Sequence, residues 1–194
     1  PLTAISGSAD NLLANYKKMD DALREQTFTD IYDDSMWLIN LVENLLAVTR
    51  IEGGQVNLTR SIELMDEVVS EALKHINRKS KEHTIRVTSG KDFILAHIDA
   101  KLIVQVIINL VDNAIKYTPD GGHIRVTAGT VGERVWMEVA DDGIGIPKAD
   151  RSRIFERFYR VDKARSRESG GTGLGLSIAT EIVQRHNGTL SLVD

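Results

Sequence analysis

The run Gly170-Gly171-Thr172-Gly173-Leu174-Gly175-Leu176 leads straight into a helical pattern. Glycine-rich backbone amides at a helix N-terminus suit a polyphosphate, through their N–H donors and the helix dipole. No G-x-x-x-x-G-K-S/T is present, so this is not a Walker loop. A charged loop, not a strand, precedes the glycines, which argues against a dinucleotide fold. A second group lies on the helical stretch Asp99 to Tyr117. Gln105, Asn109, Asp112, Asn113 and Lys116 form a polar stripe beside apolar Leu102, Val106, Leu110 and Ala114. Two asparagines four apart put neutral carbonyl oxygens and amide donors on one side, which suits a hydrated magnesium with phosphates. Taken alone, the stripe is equally an ordinary amphipathic helix.

A third group is Asp141-Asp142-Gly143-Ile144-Gly145-Ile146-Pro147. It follows a strand pattern, so Asp141 sits at a strand end. A carboxylate there can accept from an exocyclic amine such as that of adenine, while glycines let a base approach the backbone. The same residues also read as a polar turn. The fourth group is the loop from Pro147 to Gly170. Its eight basic residues (Lys148, Arg151, Arg153, Arg157, Arg160, Lys163, Arg165, Arg167) outnumber four acids in a chain whose net charge is −4. Ile154, Phe155, Phe158 and Tyr159 are its apolar anchors. A basic cover pinned by aromatics is what a lid over phosphates needs.

These groups need elements to hold them. Residues 1–52 show no strand signal. Leu2, Ile5, Ala9, Leu12, Tyr16 and Met19 make a heptad seam. Asp20 to Gln26 breaks it, and Phe28, Ile31, Leu38, Val42 and Leu45 begin another. Thr27 with Asp30 resembles a capping box, and Gly53-Gly54 a helix stop. The expectation is an antiparallel helical hairpin, whose apolar stripes a second copy would cover as a four-helix dimer. Beyond it the pattern is mixed. Strands are predicted within Gln55–Ile62, Thr84–Thr88, Phe93–Ile98, His123–Ala128, Arg134–Asp141 and Thr189–Val193. Helices are predicted over Asp66–Lys79, from the Asp99 cap to about Tyr117, and over Leu174–His186. The fold class is therefore α+β, with helices on one face of an antiparallel-dominated sheet.

Composition narrows the classes. At 194 residues, 42% hydrophobic and 27% charged, the chain is neither disordered nor low-complexity. It has no cysteine, which removes disulfide scaffolds, thiol catalysis and Cys-ligated zinc. No apolar run reaches the roughly 18 residues of a membrane span. The acidic balance gives no reason to expect nucleic acid. It is unevenly spread: residues 1–56 hold nine acids against Lys17, Lys18, Arg24 and Arg50, so a boundary is expected near Gly53-Gly54.

In their order, the four groups resemble the sensor histidine kinases. Asn109-Leu-Val-Asp-Asn113-Ala-Ile-Lys116-Tyr117 looks like their N box, and Asp141-x-Gly143-x-Gly145 like their G1 box. Phe155-Glu-Arg-Phe158-Tyr-Arg160 is similar to their F box and Gly171-Thr-Gly173-Leu-Gly175 to their G2 box. The wording of Phe93–Gly121 and of Pro1-Leu-Thr-Ala-Ile is most like the potassium-responsive KdpD branch. The resemblance implies a truncated dimerisation and histidine-phosphotransfer hairpin over 1–54, half of a dimeric four-helix bundle. It implies an ATP-binding α/β sandwich of the gyrase–kinase (GHKL, or Bergerat) type over 55–194. It implies ATP and Mg2+ as cofactors, with Asn113 on the metal and Asn109 and Lys116 assisting at the phosphates. Tyr117 would line the nucleotide site, Asp141 would read the adenine amine, and Gly143 and Gly145 would admit the base. Arg160 would reach the terminal phosphate from the lid. The amides of Gly171, Thr172, Gly173, Leu174 and Gly175 would cradle the phosphates.

The implied partners are a second copy through the hairpin and the receiver domain of a response regulator, with no nucleic acid. The parent would be membrane-anchored, with this part on the cytoplasmic face of a bacterial membrane. The phosphorylated histidine of this family heads an H-D/E-x-x-x-P run. Pro1 looks like its proline, so the acceptor is expected about five residues earlier. His75, His83, His97, His123 and His186 fall outside the hairpin, and none heads such a run. His186 reads as a residue favoured at a helix C-terminus by the dipole. Two other classes are kept open: a gyrase- or MutL-like ATPase, with Asp112 the nearest candidate base, and a nucleotide-binding dimerisation module.

Overall fold

The computed structural model describes residues 2–52, 58–76, 83–89, 93–161 and 172–193. The expectations resting on Pro1, on Gly53-Gly54, on Gly170-Gly171 and on Lys163, Arg165 and Arg167 lie outside the described residues. The hairpin is α1 (Leu2–Asn15), a 3-10 turn (Tyr16–Lys18) and α2 (Asp21–Glu52). Its corner is sharper than the sequence suggests. Leu23 N donates to Asp20 Oδ1 at 2.7 Å, so Asp20 caps α2. Arg24 then donates to the Tyr16 carbonyl at 2.9 Å, lies 4.5 Å from the Tyr16 ring centroid and pairs with Asp21 at 2.6 Å. The expected Thr27–Asp30 capping box is overturned. Thr27 is inside α2 and buried, its hydroxyl donating to the Leu23 carbonyl at 2.7 Å. The reason is the first aspartate that can cap: once Asp20 satisfies the free amides, the charged Asp21–Gln26 stretch is simply the outer face of the first turn. Along the seam, Leu12 and Met19 are buried between the helices, whereas Leu2 and Tyr16 stay open.

The remaining elements are β1 (Ser61–Leu64), α3 (Met65–His75), β2 (Thr84–Ser89), β3 (Leu95–Ile98), α4 (Ala100–Tyr117), β4 (His123–Val131), β5 (Arg134–Asp141) and α5 (Gly175–Arg185). They form two sheets. β1 pairs antiparallel with β3, and β4 lies between β2 and β5. β4 and β5 are an antiparallel hairpin closed by Gly132 at φ +60°, as a two-residue II′ turn requires. The β2–β4 pair, however, is parallel, Ile85 opposite Ile124 and Val87 opposite Val126. Of the three strand pairings among the described residues two are antiparallel, as the expectation of an antiparallel-dominated sheet had it, and this one is the exception. Parallel partners need a long crossover, and β3 with α4 supplies it. Thr189–Val193, expected as a strand, pairs with no strand among the described residues.

The core explains the layers. Ile124 and Val126 of β4 alternate inward and pack with Val68, Val69 and Ala72 of α3 and Ile107, Val111 and Ala114 of α4. The other flank of α4, through Val106, packs with Leu174, Ile178, Ala179 and Ile182 of α5. α4 is therefore apolar on two sides, with polar residues beside and between these flanks. Asp99 caps it as expected, its Oδ1 accepting from Leu102 N at 3.3 Å. Thr118 ends it before Pro119.

Candidate functional site

The site is assembled where the end of α4, the turn after β5 and the N-terminus of α5 converge. Asn109 stands at the centre. It is buried on α4, because its flank of the helix is the one covered by α5. A Cβ added to Gly175 would lie 3.4 Å from Asn109 Oδ1, in ordinary contact, so the first turn of α5 sits directly against the amide. The Asn109 Nδ2 amide has no hydrogen-bond partner among the described residues. A buried, unpaired donor costs of the order of 1–3 kcal/mol in isolation, so this group calls for an acceptor oxygen beyond those the described residues supply. Asn113 lies one turn further on, half-buried, followed by Lys116 and the more exposed Tyr117. Asp112 is exposed on the same helix.

The turn after β5 is bolted to the end of α4. Ile144 N donates to the Tyr117 carbonyl at 3.0 Å, and a Cβ on Gly143 would stand 2.4 Å from that same oxygen. Only glycine permits so close an approach. Asp141 Oδ1 accepts from Gly143 N at 3.0 Å, which fixes the carboxylate over its own loop with the second oxygen free to accept from a base. Next to it, Asp142 takes the His123 amide at 2.8 Å and the His123 ring at 3.0 Å. Those bonds, the backbone one first, hold the Asp142 carboxyl below its ordinary range. Gly145 is at φ +69° in open space. Gly143 therefore adjoins Tyr117, and Asp141 is tied to the same turn through the Gly143 amide.

The basic loop reaches the third corner. Phe158 N donates to the Gly173 carbonyl at 2.8 Å, and a Cβ on Gly173, itself at φ +71°, would meet the Phe158 backbone at about 3 Å. Phe158 adopts φ +62°, a strained value for a side-chain-bearing residue and one that collects at functional sites. Its ring is largely exposed, 68%. The expected aromatic anchor is thus corrected at this residue: Phe158 is held by its backbone, while Tyr159 does the pinning. The Tyr159 hydroxyl donates to Asp150 Oδ1 and the Arg153 guanidinium lies 4.2 Å over its ring. The hydrogen bond to Asp150 raises the phenol above its ordinary value. Arg160 follows directly, and with Arg153, Glu156, Arg157, Phe158 and Tyr159 it lines an open pocket. Thr172 Oγ1 accepts from Leu174 N at 3.3 Å, ordering the turn before α5, and the buried Leu174 roots that turn in the core. Gly171 lies outside the described residues. Sequence reasoning missed Asp150 and Tyr159 as a pair; their nine-residue separation carries no periodic signal.

The residues present fit a magnesium nucleotide. Asn109 and Asn113 offer neutral oxygens and amide donors, the bare Asn109 amide needs an oxygen partner, and a glycine-opened helix start faces it.

Residues 98–194 match the family described as histidine kinase-, DNA gyrase B-, and HSP90-like ATPase. The chain is 38% identical over its full length to the sensor protein KdpD of Clostridium acetobutylicum, of which it spans 22%. It is 38% identical over 157 residues, 79% of the chain, to the sensor histidine kinase WalK of Bacillus subtilis, of which it spans 26%. Among solved structures, the Acinetobacter baumannii histidine kinase AdeS superposes over 95% of this chain and 83% of its own, with TM-score 0.68 and 24% identity. That likeness concerns the fold. The chain spans about a quarter of the length of the two curated relatives.

Proposed function

The chain belongs to the histidine kinase-, DNA gyrase B- and HSP90-like ATPases as a sensor histidine kinase catalytic core, and we propose that it binds Mg·ATP so that its parent can phosphorylate a histidine. The observation that carries this is the buried Asn109 amide, without a partner among the described residues, set against Gly175 where the start of α5 meets α4. When bound, magnesium would neutralise phosphate charge and orient the terminal phosphoryl group. Asn113 would hold the ion. Asn109 and Lys116 would hold phosphate oxygens, and Asp141 would accept from the adenine amine beside Tyr117, with Gly143 and Gly145 keeping the base close to the backbone. Arg160 would approach the terminal phosphate from the pinned loop. The amides of Gly171, Thr172, Gly173, Leu174 and Gly175 would cradle the chain of phosphates. Phosphoryl transfer needs mainly such positioning and charge neutralisation.

In the parent, the acceptor would be a histidine preceding Pro1, and the phosphoryl group would pass on to an aspartate of a response regulator. Two copies would associate through the hairpin. The parent would be anchored in a bacterial membrane with this part on the cytoplasmic side; no helix among the described residues is long and apolar enough to cross a membrane.

The test is calorimetry with a non-hydrolysable ATP analogue, with and without magnesium. The unaltered chain binds the analogue, magnesium tightens binding, and Asn113→Ala removes the magnesium dependence. Absence of binding would overturn the reading. The 194 residues alone form no phosphohistidine with ATP; acid-labile, base-stable label on this chain would place the acceptor among its own five histidines.

A further inference from the structure

α4 and α5 run antiparallel, and their far ends are tied. His186, just past the end of α5, accepts from Asp99 N at 3.0 Å through Nε2. Its Nδ1 lies 2.8 Å from the Ile182 carbonyl. A backbone amide can only donate and a carbonyl only accept, so the ring is the neutral tautomer with its proton on Nδ1. His186 is thus a helix-end residue, as expected, whose Nδ1 meets a last-turn carbonyl while its Nε2 lone pair takes the Asp99 amide. Asp99 is also the cap of α4, and its Oδ2 accepts from Thr59 N at 3.0 Å. Arg60 Nη2 donates to the Arg185 carbonyl at 2.6 Å. The segment that follows the hairpin therefore lands on the same knot, and α2 itself touches α5.

We propose that His186 is a positioning residue for the nucleotide site: by holding the Asp99 amide it sets the axial register of α5 against α4, and so sets Gly175 against Asn109. The inference rests on the nucleotide reading above. Its geometry is simple. From Asp99 to Asn109 is ten residues and from Gly175 to His186 eleven, or about 15 and 16 Å of helix at 1.5 Å per residue. The two helices thus meet at matched ends, the histidine knot at one and the phosphate-facing contact at the other. Between them lie Leu102, Val106, Ile178 and Ile182. Apolar packing is non-directional and fixes axial position weakly; the ring-to-amide bond is directional and fixes it well. A slip of one residue would move Gly175 about 1.5 Å along α4. Because Thr59 and Arg60 share the knot, a change in the hairpin would reach the phosphate end through it.

Two isosteres test this. His186→Gln can keep an acceptor at the Nε2 position, whereas His186→Asn keeps only a donor toward Ile182. Amide hydrogen exchange without nucleotide, and calorimetry with Mg·AMPPNP, are read on the whole chain. His186→Asn is expected to speed exchange at Asp99 and, at the other end, at Gly173–Ser177. It is expected to weaken Mg·AMPPNP about fivefold, the loss of one neutral hydrogen bond of about 1 kcal/mol. His186→Gln is expected to restore both. Exchange changes confined to residues 183–188, or equal behaviour of the two variants, would overturn the proposal. Failure of the unaltered chain to bind AMPPNP would count against the nucleotide reading, and the exchange comparison would still decide the role of His186.

Discussion

Gly143 and Gly145 occupy one loop and do different work. Gly143 presses on the Tyr117 carbonyl, where a Cβ would stand at 2.4 Å from a backbone atom that cannot swing away. A Cβ on Gly145 would meet nothing within the chain, and its φ of +69° is what strains a substitution there. Gly143→Ala is therefore expected to abolish nucleotide binding in calorimetry. Gly145→Ala is expected to cost only about 1–2 kcal/mol of backbone strain and to retain weakened binding. Asp142 gives a second prediction at this scale. His123 stabilises its ionised form, so the folded pKa lies below the ordinary one. Its contribution is then present above the ordinary carboxylate value and is lost as pH falls through the lowered one. Urea midpoints of the unaltered chain and of Asp142→Asn should differ at pH 6 and converge as the pH drops toward 3.

At the scale of elements, the caps are decided by which carboxylate reaches a free amide. Asp20 does so for α2 and Asp99 for α4. Asp20→Ala is expected to cost about 1 kcal/mol in thermal or urea unfolding. Asp30→Ala, which the Thr27-x-x-Asp30 pattern would have made the damaging change, should be near neutral, since Asp30 only accepts from Gln26 on an exposed face. α4 shows how an element makes a site. Its two apolar flanks are consumed by α3 and α5, and the seam between α4 and α5 is what buries Asn109.

For the molecule as a whole, the hairpin leaves an unusual apolar surface. Leu13 is 86% exposed and Phe28 54%, with Leu23, Tyr32, Ile39 and Val42 also open. Exposed apolar side chains in such number on two helices fit the proposed association with a second copy. Light scattering of the unaltered chain should give a dimer. Leu13→Glu with Phe28→Glu should give a monomer that still binds nucleotide, because neither residue lies on α4, α5 or the loops around them. A dimer unaffected by both changes would place the association elsewhere.

The residues proposed to bind a nucleotide stand out in the sequence because their chemistry is local: two asparagines one turn apart, an aspartate at a strand end, and glycines before a helix. The helical hairpin, the Asp99 cap and the span of β5 were legible for the same reason, since periodicity and capping are properties of neighbours in sequence. Tertiary structure decided what depends on distant partners. Whether β2 ran parallel to β4 turned on the crossover between them, and whether Thr189–Val193 became a strand turned on a neighbour to pair with. That Phe158 is held by its backbone and Tyr159 by Asp150 turned on how Gly173 folds against the loop. His186 is the sharpest case. Its position at the end of a helix marked it as a residue the dipole favours, and only the packing of α5 beside α4 brought the Asp99 amide to its ring, where a lone pair accepts it.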